Sequence, residues 1–61
     1  MKNYIVRLMD YDRSIIYGDY YRTTTAELAE IMFVAKCHRL GIVISEKRGH
    51  FITVEEVPPL F

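Results

Sequence analysis

The sequence predicts an α+β domain: a four-stranded antiparallel sheet with one helix packed on one face, in the order β-β-α-β-β. Three observations predict it. β-branched and aromatic runs with period-two alternation lie at both ends of the chain. One unbroken helical pattern, residues 24–41, separates them. Turn chemistry divides the runs in each half, at residues 10–14 and at Lys47-Arg48-Gly49. Two hairpins joined by a helix bury their apolar surface most simply when the helix covers one face of the sheet.

Residues 2–10, KNYIVRLMD, read as the first strand, with Tyr4, Val6 and Leu8 on one side and Asn3, Ile5, Arg7 and Met9 on the other. The run DYDRS holds two Asp and one Ser whose side chains bond nearby backbone, so it turns. SIIYGDYYR, residues 14–22, is the second strand, and Gly18-Asp19 inside it is expected to form a bulge. In the helical run, Thr24 with Glu27 three residues on makes a capping-box pattern, and Gly41 stops the helix after a basic last turn. Ile42 to Glu46 is expected to be a strand, Lys47-Arg48-Gly49 a hairpin turn, and residues 50–56, HFITVEE, the returning strand. Residues 1–57 thus make a single domain. Residues 58–61 form an extended tail, because Pro58-Pro59 cannot continue a ladder.

The helix is apolar on two sides. At about 100° per residue, Leu28, Ile31, Met32 and Ala35 form one arc; Ala29, Phe33, Cys37 and Leu40 form another. One protomer offers one surface to bury against, so the second arc calls for a partner. The first arc is expected to be core. Ala29, Phe33, Cys37 and Leu40 are expected to face the partner, with Tyr17, Tyr20 and Tyr21, since Tyr joins large area to a polar tip. The second sheet face repeats the surplus, because large apolar residues alternate onto both sides of the first strand.

Bulk composition narrows the function. The chain has 61 residues, enough for one small domain with a thin stability margin. A single cysteine, Cys37, excludes an intramolecular disulfide, and oligomerisation or partner binding becomes the expected staple. The lone cysteine and the lack of a signal-peptide pattern suit a cytoplasmic setting. Eight basic and eight acidic residues cancel, unlike the basic balance of many nucleic-acid binders. No apolar run approaches the roughly 18 residues of a membrane span.

No catalytic or metal pattern emerges. Cys37 and His38 are adjacent and so point about 100° apart on a helix, and His50 stands far off in sequence. Glu55 and Glu56 point to opposite faces of a strand, and no Gly-rich phosphate loop exists. No catalytic residue, cofactor, metal or small-molecule substrate is expected. The cations Lys36, Arg39, Lys47 and Arg48, with His50, are the residues that could contact nucleic acid. The run AKCHRLGIVISEKRGHFITVEE resembles the last helix and hairpin of a winged-helix DNA-binding domain, over about a third of the chain. That fold needs three helices, and the segment ahead of this run reads as strands, so the family is not assigned.

The function expected from the sequence is stoichiometric docking on another protein, on itself as a homodimer, or both, without catalysis. Size and composition associate such chains with regulators or inhibitors carried by phages and other mobile elements. A nucleic-acid binder using the residue 47–50 hairpin, and a structural subunit of a larger assembly, are the alternatives.

Overall fold

The structure, a computed structural model, describes residues 1–59. It has three strands and one long helix: β1 (Lys2–Met9), β2 (Ile15–Thr23), α1 (Ala26–Arg39) and β3 (Phe51–Val57), with a 3-10 turn at Glu46–Arg48 ahead of β3. The sheet order is β2-β1-β3, and β1 pairs antiparallel with both neighbours. β2 and β3 therefore run parallel to each other with β1 between them, and α1 carries the chain across.

The central strand is the one whose alternation was clearest. Tyr4, Val6 and Leu8 point under the helix and are buried. Register places Tyr21, Asp19 and Tyr17 beside them on β2, and Val54 and Ile52 beside Val6 and Leu8 on β3. Ala29, Phe33 and Cys37 close the core from above, and Tyr17, Tyr21, Ile42, Ile44, Ile52 and Val54 wall it.

The expected four-stranded sheet is corrected to three strands. Ile42 to Ser45 is not a strand, despite its β-branched composition. A Schellman turn commits its start elsewhere. Gly41 takes φ 74°, its N–H donates to the His38 carbonyl at 3.2 Å, and the Ile42 N–H donates to the Cys37 carbonyl at 2.9 Å. Ile42 and Ile44 then pack on the core as half-buried loop residues, while Val43 is exposed. The Lys47-Arg48-Gly49 hairpin turn is corrected as well: these residues belong to the 3-10 turn and its left-handed end, Gly49 at φ 82°. Without that hairpin, the likeness to a winged helix fails at the wing.

Two smaller corrections follow. β2 is continuous through Gly18-Asp19, and the register shift falls between Leu8 and Met9, which pair with Tyr17 and Ile15. Ile16 is thus the extra residue, next to the turn, where added twist is easily absorbed. The helix cap is Thr25, not Thr24: its hydroxyl accepts from the Leu28 N–H at 3.2 Å. Glu27 remains in the first turn, where its charge suits the helix dipole. In the tail, Pro58 and Pro59 are exposed beyond β3, and Leu60 and Phe61 lie outside the described residues.

Candidate docking surface

The two arcs of α1 are exchanged relative to expectation. Ala29, Phe33 and Cys37, expected at a partner interface, are fully buried beneath the helix. The physical reason is width. Three strands about 4.8 Å apart offer α1 a narrow floor, and a small-large-small row fits it closely. Phe33 fills the centre, stacked on Tyr17 with ring centroids 5.8 Å apart and meeting Tyr21 edge-on at 6.4 Å. Tyr17 and Tyr21 are therefore walls of the protomer's own core, half-buried. Of the expected interface, only Leu40 and Tyr20 stay mostly open to solvent, on different elements.

The arc expected to be core is the exposed one. Leu28 is 42% exposed, Ile31 63% and Met32 43%, and Ala35 lies open between the turns. Residues three and four apart share a helix side, so these four form one continuous strip along the back of α1. Glu27 stands at its start, and His38 and Arg39 at its end. Val34 borders it and leads into a shallow depression lined by His38, Gly41, Ile42, Val43 and Ile44. Sequence reasoning missed this surface because both arcs are equally apolar. The usable signal was volume: only the buried arc sets small residues on both sides of one large ring.

The sheet's uncovered face is less apolar. Ile5, Met9, Ile15, Tyr20 and Phe51 alternate onto it, but so do Asn3, Arg22 and Thr53. Arg7 crosses it to Glu55 at 3.2 Å. The polar groups make this an ordinary half-solvated sheet surface.

The residues expected at a nucleic acid divide. Lys36 is engaged by the Asp19 carboxylate, which holds its ammonium above the ordinary lysine range, with a further contribution from the Tyr17 hydroxyl. The same contact holds Asp19 below the ordinary carboxylate range. His50 is largely buried: its Nδ1 accepts from the Ser45 N–H at 3.1 Å, and its Nε2 lies 3.8 Å from Asp10. Arg39, Lys47 and Arg48 are exposed, with no ion pair among the described residues. The 46–49 turn leans on Tyr11, whose turn also carries Asp10 and Asp12, so the cations there are mixed with acids.

Catalytic chemistry finds little to use. Burial pushes the Cys37 thiol up, which disfavours the nucleophilic thiolate. The Tyr21 hydroxyl is buried with no hydrogen-bond partner among the described residues, and burial raises its pKa. No group of three His, Cys, Asp or Glu side chains able to hold a metal occurs among the described residues. No described helix is long and apolar enough to cross a membrane.

Comparison with protein-family models, with curated protein sequences and with solved structures gave no match.

Proposed function

We propose that the chain is a non-catalytic protein-interaction module that acts by stoichiometric docking, with the back of α1 as its contact. One observation carries this reading. The strip of Leu28, Ile31, Met32 and Ala35 faces solvent on the side of the helix opposite its own core. Such a strip has no role in holding the protomer together, and contiguous apolar surface rimmed by charge is the usual form of a contact site. A stoichiometric regulator or inhibitor of another protein is the role that fits a small fold with one such strip. The buried free thiol of Cys37 suits a reducing compartment such as the cytoplasm.

The test is affinity capture with the wild-type chain and with Ile31→Glu, the bound proteins being identified by mass spectrometry. The charge should abolish capture while leaving the melting temperature unchanged. Capture unaffected by Ile31→Glu would remove the helix back from the function. The nucleic-acid alternative rests on Arg39, Lys47 and Arg48, and it predicts salt-sensitive binding that weakens when Lys47 and Arg48 become Ala. Tight binding of that kind at physiological salt would displace the docking reading.

A further inference from the structure

We infer that the back of α1 seats a second copy of the same chain, helix against helix and antiparallel; this rests on the docking reading above and names its occupant. The first argument is spacing. Leu28, Ile31, Ala35 and His38 recur at alternating steps of three and four, the seam of a two-helix contact. Met32 and Val34 flank that seam, one on each side, and both are partly exposed.

The second argument is self-complementarity in one direction only. Laid antiparallel about a two-fold axis at the level of Phe33, the seam sets Ile31 on the partner's Ala35 and Ala35 on the partner's Ile31. A bulky residue meets a small one at the centre. Met32 then faces the partner's Met32, Val34 faces the partner's Val34, and Leu28 reaches the partner's His38. Every exposed apolar side chain on this side of α1 finds an apolar neighbour or the imidazole at the end of the seam. A parallel pairing would set Ala35 on the partner's Ala35, leaving a gap beside the stacked Ile31 side chains.

The third argument is charge. The acids of α1, Glu27 and Glu30, lie in its first half, and its bases, Lys36, His38 and Arg39, lie in its last turn. Glu27, Glu30 and Arg39 have no ion pair among the described residues. Antiparallel pairing brings the Glu27 end of each helix to the His38–Arg39 end of the other, whereas parallel pairing sets like charge on like. A two-fold contact of this kind closes on itself, so it gives a dimer and no filament. A seam confined to one short helix falls below the roughly 800 Å² per partner of a standard interface, so a weak dimer is expected, to be sought from micromolar concentration upward.

Sedimentation equilibrium of the full chain from ~1 μM to ~1 mM covers those concentrations. The expected result is a monomer–dimer equilibrium that Ala35→Glu weakens about 100-fold or more, nearly 3 kcal/mol at tenfold per 1.4 kcal/mol. Ala35 is exposed in the protomer, so a circular dichroism spectrum like that of the wild type should accompany the loss. Direction is read by oxidation. Met32→Cys should cross-link to a disulfide dimer and Leu28→Cys, which only a parallel pairing would set on its own copy, should not; the reverse pattern overturns the antiparallel arrangement. A monomer at every concentration overturns the second copy as occupant; if Ile31→Glu still abolishes capture of a different protein, the docking reading survives that failure. A dimer indifferent to Ala35→Glu overturns this inference, because the copies then meet elsewhere, and leaves the docking reading to the Ile31→Glu capture.

Discussion

The two sides of α1 are almost equally apolar, yet one is sealed and the other is open. The sealed side carries Ala29, Phe33 and Cys37, each fully buried. The open side carries Leu28, Ile31, Met32 and Ala35, all exposed. The difference teaches that shape chose the inward side. A narrow sheet accepts one large ring between two small residues, and Tyr17 and Tyr21 are placed to hold that ring. The open side has the larger side chains in sum, and it would have lifted the helix off the sheet.

The sharpest way to break this contrast is at its centre. Phe33→Ala should destabilise the protomer by about 3–5 kcal/mol, as large-to-small changes at sealed core sites do. That approaches the whole stability of a domain this small, so a urea melt should show a fold near its limit. A loss below about 1 kcal/mol would mean that the helix is seated otherwise than described.

The next test acts on what fixes the orientation. Gly41, at φ 74°, lets the chain double back so that Ile42 reaches the core. No atom would crowd a side chain there, so Gly41→Ala measures the left-handed backbone alone and should cost about 1 kcal/mol in a thermal melt. Gly49→Ala should cost more, because an added Cβ would stand 2.8 Å from the Tyr11 Cβ as well as at positive φ.

A smaller effect belongs to the ion pair on the flank of the helix. Asp19 is held below its ordinary pKa by Lys36, so its stabilisation is fully present above the ordinary carboxylate range. It is lost as pH falls through the lowered folded value. Lys36 is held above its ordinary pKa, so its share is present below the ordinary lysine range and is lost as pH rises through the raised value. The melting temperature of wild type should therefore exceed that of Lys36→Met by a small margin near neutrality. The margin should shrink below about pH 4 and above about pH 10.5. A margin constant across pH would show that packing of the lysine stem, and not charge, is what the substitution removes.

The smallest effect should come from the open side. Ile31→Ser should change the unfolding free energy by no more than about 0.5 kcal/mol in dilute solution, where no partner covers it. A larger loss would place Ile31 inside the core and cancel the contrast.

How much of this was legible in the sequence differs by region. β1 was legible because Tyr4, Val6 and Leu8 alternate against a real buried face, and the same alternation places Ile52 and Val54 on β3. The helix was legible in extent and ends, within one residue at its cap. The fourth strand was misread because residues 42–45 have strand-forming side chains but no neighbouring strand, and a strand is defined by its partner. The hydrogen bond that decides the matter, Ile42 to Cys37, depends on how Gly41 turns. The interface residues were misread for a related reason. Helical periodicity shows that two apolar sides exist, but which one meets the sheet depends on how many strands lie below.

The position of Cys37 has a consequence for measurement. The chain contains one thiol, and it lies on the sealed side, one turn beyond Phe33, with no exposed surface. A thiol reagent can reach it only when the helix parts from the sheet, so the labelling rate counts those openings with no engineered probe. In increasing urea, a rate that tracks global unfolding would show that helix and sheet separate only when the whole domain does. A rate that rises, but less steeply than global unfolding, would show that α1 lifts as a unit and exposes only its own contact with the sheet, which would make the helix a separately moving part.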